Sequence, residues 1–600
     1  EQLLGEENAC AEQLVGEEST WVEQLVARAI APVKAEFRLA PPSTRECESD
    51  KKEDLNGDDK VDVQSSVVVK EKKSKRQLKR ERKQEKNPAL ILCPEVRKSG
   101  AVDSCSYGSK CHFSHDLEAF LTQKLKDLDG ECPYAADSEF CPYGLTCRFS
   151  GTHKESAKAS NVNSEVNGLS KDVQRLLWKN KLKLPKSESV LKSLGLTGKC
   201  KSNKDDTEED DMAKEEVPPL KKSKPCEEAE TIVKTHPREK KIIDFRGKMY
   251  LAPLTTVGNL PFRRVCKAFG ADVTCGEMAM CTNLLQGKAS EWALLRRHSN
   301  EDLFGVQICG SYPDTIARAI ELIDQECSVD FIDVNMGCPI DVVVNKGAGS
   351  CLLTKPMRMK SIIQAASNTV DTPVTLKVRT GYFEGKNRID SIISDMGTWG
   401  ANALTIHGRT RQQRYSKTAD WDYINKCVEN APGTLQVIGN GDVFSYVDWN
   451  KRMSSCPKLA TCMVARGGII KPWVFTEIKE QRHWDISSGE RLDMLKDYVR
   501  YGLHHWGSDT KGVETTRRFV LEWLSYLCRY VPVGLLEVLP QQLNWRPPAY
   551  YGRNDLETLM ASDSAADWVQ ISEMLLGKVP PGFTFTPKHK SNAYDKAQNG

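Results

Sequence analysis

The region from residue 248 to residue 467 alternates short, almost wholly apolar runs with longer stretches of helical pattern. Runs that are apolar on both faces are typical of parallel strands covered by helices on both sides of a sheet. Eight such β/α units over about 230 residues fit a closed α/β barrel of the (β/α)8, or TIM-barrel, class. The predicted strands are 248–256, 272–278, 303–310, 329–337, 373–381, 403–410, 435–443 and 459–467.

The carboxyl ends of these strands carry polar or turn-forming residues. In (β/α)8 barrels the active site lies at that end, so side chains from different strands meet in one mouth. A single lysine, histidine or Asn-Gly-Asp turn has ordinary structural explanations, but their recurrence on strand after strand predicts a shared site. The residues concerned are Pro253, Gln307, Asn335, Lys377, His407, Asn440, Gly441, Asp442 and Arg466.

Glycines cluster at the ends of the seventh and eighth strands, at Gly439, Gly441, Gly467 and Gly468. This is the usual phosphate site of the barrel, where backbone N–H groups and a helix N-terminus hold an anion. Lys377 would supply the cation that a reduced flavin needs beside its pyrimidine edge. No GxGxxG dinucleotide motif is evident, so the monophosphate flavin FMN is predicted.

Two cysteine and histidine sets precede the barrel. The first, within 91–116, is spaced C-x11-C-x5-C-x3-H, and the second, within 130–154, is spaced C-x8-C-x5-C-x5-H. Three thiolates and one imidazole form a closed shell for structural Zn²⁺, and segments this short have no other core. Buried or disulfide-bonded cysteines are the alternative, and the longer last spacing makes His153 the less secure histidine ligand. The predicted ligands are Cys93, Cys105, Cys111 and His115, then Cys132, Cys141, Cys147 and His153.

The spacing of both sets resembles that of CCCH zinc fingers, whose usual targets are single-stranded RNA. Aromatic residues interleaved with basic ones offer stacking faces for bases and partners for phosphates. These residues are Tyr107, Phe113, Tyr143 and Phe149, with Lys110, Arg148 and Lys154.

The remainder of the N-terminal half is polar and charged. Residues 1–90 and 155–240 are predicted to be disordered, with a marginal helix as the alternative for the short repeat EQLLGEE, EQLVGEE and EQLVARA near the start. The second stretch is expected to form a tether with an acidic block at 205–216. The basic run at 70–86 reads as a solvated linker, a nuclear-import signal or an RNA-contacting arm. No run of about 18 apolar residues is present to span a bilayer, and no secretory signal accompanies the 21 cysteines. We therefore expect a soluble intracellular protein of the cytoplasm, the nucleus or both.

Residues 481–590 have the pattern of amphipathic helices, with apolar residues at helical spacing between 492 and 506. Most of this stripe is expected to form a core. Basic residues along the segment are candidates for an RNA path, namely Arg517, Arg518, Arg529, Lys588, His589 and Lys590.

The strand-end motifs together resemble the tRNA-dihydrouridine synthases, FMN-dependent barrels that reduce uridine in tRNA. The resemblance covers the barrel over 241–480 almost end to end, and paired CCCH fingers resemble the eukaryotic branch that modifies uridine 47 in the variable loop. One departure is Leu254, where many relatives carry Met. The motifs are "APLTTVGNLPFRRVCKAFGADVTCGEM", "GVQICG", "DVNMGCP", "KVRTG", "TIHGRTRQQRYSKTADW", "VIGNGDV" and "VARGGIIKPWVF".

The resemblance implies that NADPH, or NADH, reduces FMN, that Asn335 orients the uracil, and that residues 481–590 bind tRNA. A hydride added to C6 of uracil leaves C5 in need of a proton from the opposite face. The Cys338 thiol, mostly protonated at neutral pH, is the predicted general acid, whereas Cys309 and Cys351 are predicted to be structural. By resemblance the FMN ligands are Ala252, Pro253, Leu254, Gln307, Lys377, His407, Asn440, Gly441, Asp442, Ala465 and Arg466.

Two other functions stay open at this point. One is an FMN-barrel reductase that acts on a small molecule, and the fused RNA-type fingers count against it. The other is a non-catalytic RNA-binding zinc-finger protein, and the complete set of Cys338, Lys377 and His407 counts against that. The expected partner is tRNA, with other RNA, including mRNA, as a further candidate. No membrane contact or obligate protein partner is evident.

Overall fold

The computed structural model describes residues 21–39, 91–136, 140–153, 165–196 and 241–588. The basic run at 70–86 and the acidic block at 205–216 lie outside these residues. The strands are β1 Glu165–Val166, β2 Tyr250–Leu251, β3 Val273–Cys275, β4 Ala279–Met280, β5 Arg297–His298, β6 Leu303–Cys309, β7 Phe331–Met336, β8 Val374–Arg379, β9 Ala403–His407, β10 Gln436–Asn440 and β11 Thr461–Val464.

The α-helices surround the barrel or lie before and after it. They are α1 Pro94–Ser99, α2 Leu117–Gln123, α3 Pro133–Ala136, α4 Lys171–Trp178, α5 Pro185–Ser193, α6 Leu260–Ala268, α7 Cys281–Leu285, α8 Ala289–Trp292, α9 Pro313–Glu326, α10 Asp341–Val344, α11 Pro356–Thr369, α12 Ile393–Thr398, α13 Trp421–Asn430, α14 Tyr446–Ser455, α15 Arg466–Ile470, α16 Val474–Glu480, α17 Ser488–Trp506, α18 Thr510–Leu527, α19 Asp555–Ala561 and α20 Ala565–Leu576.

Eight parallel strands close into the predicted (β/α)8 barrel. The hydrogen-bonded order runs β3-β2-β11-β10-β9-β8-β7-β6, and pairing of β3 with β6 closes the ring. All eight predicted strands are confirmed, each shorter than its apolar run because the end residues form loops. The register places Asn335 opposite Lys377, and His407 opposite both Arg379 and Asn440. The polar ends of neighbouring strands therefore meet at one mouth, as predicted.

Residues 165–196 are ordered and pack on the barrel, which contradicts the predicted disorder of 155–240 in this part. Strand β1 pairs antiparallel with β5, and α5 packs against α9 and α11. The Glu321 carboxylate accepts hydrogen bonds from the backbone N–H groups of Lys186 and Ser187, at 3.1 and 2.8 Å, and so caps α5. Leu191 is buried with Ala317 and Ala365. A few apolar residues in a polar segment suffice because the barrel helices supply the rest of the core.

Residues 21–39, here called the N-terminal arm, are also ordered, which agrees with the helix considered for the last repeat and contradicts the predicted disorder of the residues that follow it. Residues 21–27 are helical, and the following segment lies against residues 531–550. Ala31 and Val33 are fully buried in a small core with Trp545. The arm is thus held by side chains far away in sequence, which local composition does not reveal.

The C-terminal helices form a layer against the barrel. Helix α17 packs on α18 and on the barrel helix α6, and the predicted apolar stripe is buried at Leu495, Val499 and Leu503. Arg517 is buried as well, and its guanidinium donates to the carbonyl oxygens of Ser572 and Leu576 at the end of α20. It is therefore a structural residue and not part of an RNA path. Among the described residues, no helix combines the length and apolar character that crossing a bilayer requires.

Candidate active site and zinc centres

A chain of buried polar side chains crosses the barrel interior below the mouth. The Asp333 carboxylate accepts hydrogen bonds from Gln307 Nε2 and from Thr375 Oγ1, both at 2.7 Å. Gln307 Oε1 in turn accepts from Asn335 Nδ2 at 2.9 Å. Burial raises the pKa of Asp333 above its usual range. The chain fixes the orientation of Gln307 and Asn335, two of the predicted site residues.

Asn335 also fixes the turn that carries Cys338. Its Oδ1 accepts the backbone N–H groups of Gly337 and Cys338, at 3.1 and 2.8 Å. From the next strand, Arg379 Nε donates to the Gly337 carbonyl oxygen at 3.0 Å. The direction of the Cys338 side chain is therefore set by three hydrogen bonds to its turn. Because both ends of the Asn335 amide are engaged within the protein, the role that these contacts favour for it is to position Cys338.

The Cys338 thiol lies at the edge of the mouth, 9% exposed, in a small apolar cluster with Cys309 and Val343. Burial raises the pKa of the Cys338 thiol above its ordinary value, against a smaller opposing effect of Arg379. The thiol therefore stays protonated at neutral pH. Cys309 is fully buried, and burial raises the pKa of its thiol to about 12. Cys351 is half-buried. The exposure and fixed turn of Cys338 distinguish it from the fully buried Cys309.

The part of the mouth formed by the ends of β8 to β11 is cationic. Lys377 Nζ donates to Asn440 Oδ1 at 3.0 Å, and burial lowers the pKa of Lys377 to about 8. The pKa of His407 lies far below its usual range because of burial and the nearby charges of Lys377, Arg379, Arg409 and Arg466. His407 is thus a neutral imidazole in a positive field. Such a field fits an anionic ligand.

Asp442 balances part of this charge. Its carboxylate accepts two hydrogen bonds from Arg409, at 2.6 and 2.7 Å, and one from Arg466 at 2.9 Å. The Arg466 guanidinium also lies 4.3 Å from the centre of the Tyr415 ring. Asp442 therefore orients both arginines of the mouth.

Close backbone approach explains the glycines at the ends of β10 and β11. A Cβ atom at Gly441 would come within 2.5 Å of the Ala419 side chain, and its φ of +139° disfavours other residues. A Cβ atom at Gly467 would lie 2.2 Å from the Val443 carbonyl oxygen. Both loops can therefore pack this closely on their neighbours only as glycine backbone, and their backbone N–H groups are the predicted phosphate donors.

The first strand completes the mouth on its apolar side. The Ala252 N–H donates to the Val464 carbonyl oxygen at 2.8 Å, so the end of β2 lies beside the end of β11. Leu254 and Ala465 pack against the same buried cluster as Ala252, and Pro253 lies between Ala252 and Leu254. The structure thus brings all the predicted FMN ligands to one end of the barrel. Apolar surface, glycine backbone and basic side chains together fit FMN.

Four residues of this site were not assigned a role from the sequence: Asp333, Arg379, Arg409 and Tyr415. Arg379 and Arg409 lie within the motifs "KVRTG" and "IHGRT" that carry the family resemblance. Their partners follow neighbouring strands: Arg379 donates to the Gly337 carbonyl oxygen at 3.0 Å, and Arg409 donates to the Asp442 carboxylate at 2.7 Å. Their presence within these motifs was the signal in the sequence that could have identified them as site residues. Their contacts are visible only in the folded protein.

Both predicted zinc sites are assembled. In each set, the three sulfur atoms and one imidazole nitrogen lie within 4.8 Å of one another. The Sγ atoms of Cys132 and Cys147 are 3.8 Å apart, far beyond a disulfide bond of about 2.05 Å and compatible with two tetrahedral ligands to Zn²⁺. The Nε2 atoms of His115 and His153 are buried, with no hydrogen-bond partner among the described residues. These donor sets fit zinc, including His153 despite its longer spacing.

The second finger docks on the C-terminal helices. The backbone N–H of Arg148 donates to the Ser508 carbonyl oxygen at 2.8 Å. The Tyr134 hydroxyl donates to the His504 carbonyl oxygen at 3.0 Å. Tyr143 packs so closely on Gly507 that a Cβ atom there would lie 2.5 Å from its ring.

The predicted RNA contacts of the second finger are therefore wrong for three residues. Phe149 and Arg148 are buried, and the Arg148 guanidinium donates to the Lys126 carbonyl oxygen. Tyr143 is occupied by its contact with Gly507. Lys154 lies outside the described residues. In the first finger, by contrast, Tyr107 and Phe113 are 72% and 46% exposed. Of the four aromatic residues predicted to stack on RNA, Tyr107 and Phe113 of the first finger are therefore the exposed pair.

Comparison with known proteins agrees with the geometry. The family model for dihydrouridine synthase (Dus) matches residues 250–525, and the model for the DUS3L CCCH zinc finger domain matches residues 87–123. Among solved structures, the old yellow enzyme from Trypanosoma cruzi aligns with a TM-score of 0.30 at 8% identity, over 39% of this chain and 89% of that one. A likeness this slight has no bearing on function.

Curated relatives are much closer. A protein of Arabidopsis thaliana named tRNA-dihydrouridine(47) synthase [NAD(P)(+)]-like is 56% identical, with 96% of this chain and 94% of the relative covered. Proteins of the same name from Oryza sativa and Homo sapiens are 59% and 49% identical, over 85% and 84% of this chain and 87% and 81% of the relative. The chain belongs to the dihydrouridine synthase family.

Proposed function

We propose that this protein reduces uridine to 5,6-dihydrouridine in tRNA, at position 47 in the variable loop, with NADPH or NADH as the reductant. The observation that carries the proposal is the pairing, in one barrel mouth, of a protonated thiol on a fixed turn with a buried cationic pocket. The thiol is Cys338, and the pocket contains Lys377, His407 and Arg466. Family membership and the names of the relatives support it.

The pocket would hold FMN, which when bound and reduced supplies the hydride for C6 of the uracil. Lys377 and Arg466 would neutralise negative charge on the cofactor, and the glycine backbone near Gly441 and Gly467 would bind its phosphate. Cys338 would donate a proton to C5 from the opposite face of the base, and the raised pKa of its thiol keeps that proton available. Asn335 would act by holding the turn that aims the thiol.

Access to this mouth requires the target base to leave its stack, since the thiol is largely buried. Base extrusion costs less for an unpaired loop nucleotide than for one in a helix, which favours a loop uridine as the substrate. The C-terminal helices over 481–590 would bind the tRNA body, and the exposed Tyr107 and Phe113 of the first finger would stack on unpaired bases. By the same contacts other RNA, including mRNA, is a candidate substrate, in the cytoplasm or the nucleus.

The test uses purified protein reconstituted with FMN and Zn²⁺, NADPH, and an unmodified tRNA with uridine at position 47. A gain of two hydrogens, located by mass spectrometry to that nucleotide, is the expected result. The same tRNA with cytidine at position 47 is the matched control and should remain unchanged. Cys351→Ala should behave as the parent protein, because this half-buried residue is not part of the mouth.

Two outcomes would support the other functions instead. Bound flavin that is reduced by NADPH but leaves every tRNA unmodified, while passing electrons to a small enone or pyrimidine, would indicate a small-molecule reductase. RNA binding by a protein that takes up no flavin would indicate a non-catalytic binding protein.

A further inference from the structure

The N-terminal arm is built into the protein by a continuous set of contacts. Its backbone exchanges hydrogen bonds with Arg546, since the Ala31 N–H donates to the Arg546 carbonyl oxygen at 2.9 Å and the Arg546 N–H donates to the Ala29 carbonyl oxygen at 2.8 Å. The Lys34 N–H donates to the Leu535 carbonyl oxygen at 2.8 Å. Val33 is fully buried among residues of the C-terminal layer. This is the packing of a structural wall, not of a tether.

The wall borders a cavity of about 1610 Å³ that three parts of the chain enclose. The barrel contributes Tyr415 and Arg466, the C-terminal layer contributes Arg529, and the arm contributes residues from Leu25 to Ile30 as well as Leu39. Arg466 belongs to both places, because it lines this cavity and also pairs with Asp442 in the mouth. The cavity therefore adjoins the candidate active site at Arg466.

The cavity is rich in arginines that have no protein partner. Among the described residues, no ion pair or side-chain hydrogen bond engages Arg28, Arg414, Arg529 or Arg546, all of which line the cavity. Three aspartates line it as well. Of these, Asp567 accepts a hydrogen bond from Ser562, and Asp555 lies in the first turn of α19, where the helix dipole favours a negative charge.

Tyr415, which is 50% exposed, adds an aromatic face beside the arginines. Guanidinium groups that are held on a wall but left unpaired are suited to phosphates, which they can contact through two N–H groups at once. Arginines next to an exposed aromatic ring are typical of a single-stranded RNA path, in which phosphates and bases are bound side by side.

We propose that the N-terminal arm forms one wall of the RNA path to the barrel mouth, and that Arg28 binds a phosphate of the strand that carries the target uridine. The proposal rests on the function proposed above. Arg414, Arg529 and Arg546 line the same path, so the arm adds its charge to a cationic strip contributed by the barrel and the C-terminal layer.

The experiment compares Arg28→Ala with Lys34→Ala in the otherwise unchanged protein. Both variants remove one positive charge from the arm, but Lys34 does not line the cavity. Loss of one phosphate contact should reduce the slope of log affinity against log salt by about 1 and weaken tRNA binding about fivefold near 0.15 M salt. Lys34→Ala should keep both the affinity and the slope of the parent.

Val33→Asp tests the wall itself, because an aspartate in this buried position should release the arm. We expect it to weaken tRNA binding at least as much as Arg28→Ala, while reduction of bound flavin by NADPH without RNA stays at the parental rate. Parental affinity in both Arg28→Ala and Val33→Asp would overturn the proposal, and so would an equal loss in Lys34→Ala. If the parent protein itself neither binds nor modifies tRNA, the proposed function fails, and that result is distinct from failure of the arm alone.

Discussion

The charge of Lys377 should set the upper pH limit for FMN binding. Burial lowers the pKa of this side chain from 10.5 to about 8 in the protein without cofactor, so about nine-tenths of the molecules carry the charge at pH 7 and about one-tenth at pH 9. An anionic ligand favours the charged amine and raises its pKa on binding. The affinity that depends on this charge is therefore complete below about pH 8 and is lost as the pH rises above that value.

The expected size of the effect follows from this pKa. If FMN binds only the charged form of Lys377, the dissociation constant should rise about tenfold between pH 7 and pH 9, and about fivefold of that rise should fall between pH 8 and pH 9. The other groups of the complex titrate outside this pH range. The pKa of His407 is far below it, and burial raises the pKa of the Cys338 thiol. A phosphate monoester loses its second proton at about pH 6.

The assay is quenching of flavin fluorescence on titration of protein stripped of FMN, repeated across this pH range. Lys377→Arg keeps its charge throughout, so its FMN affinity should be independent of pH, whereas Lys377→Met should bind weakly at every pH. Cys338→Ala should keep the parental pH dependence. Equal FMN affinity of the parent at both ends of the range would refute this role of Lys377. A loss of FMN affinity at alkaline pH that persists in Lys377→Met would refute it as well.

Four further substitutions test other parts of the molecule. Cys338→Ala should lower the single-turnover rate of dihydrouridine formation by about 10² to 10⁴ while reduction of the flavin by NADPH persists. Cys105→Ser should weaken tRNA binding in a filter assay, whereas Cys141→Ser should mainly lower the thermal unfolding temperature, since its finger docks on the helices. Glu301→Gln removes the negative charge that faces the buried Arg263 guanidinium at 2.7 Å, and the uncompensated buried charge should cost about 3 to 5 kcal/mol of unfolding free energy in denaturant titrations.

The barrel could be predicted from the sequence because its strands are buried on both faces, and each therefore appears as an uninterrupted apolar run. The ordered structure of residues 21–39 and 165–196 could not be predicted in this way. Each buries only a few apolar side chains, such as Val33 and Leu191, and it does so against surfaces that are remote in sequence. The mean hydropathy of such a segment is the same whether or not its few apolar residues pack against a distant part of the chain.

The site shows the same division. Strand ends gave the positions of Lys377 and His407, because the topology brings every strand end to one mouth. The sequence could not show that Arg409 faces Asp442, since that contact joins residues of two different strand-end loops. For the second finger, by contrast, the sequence predicted a function that the structure does not support. Its aromatic residues have the right spacing for RNA, yet docking on the C-terminal helices buries Phe149, and exposure is a property of the assembled molecule.

Burial favours the neutral form of Cys338, His407 and Lys377 in the mouth, with different consequences for each. It helps Cys338, because a proton donor must keep its proton, and it leaves His407 neutral in the midst of four basic side chains. For Lys377 it opposes the charged form that an anionic cofactor requires. A desolvated ammonium held mainly by an amide oxygen raises the free energy of the empty site, and an anionic ligand beside it removes that cost. The same burial that preserves the acid therefore also makes the pocket selective for a negatively charged occupant.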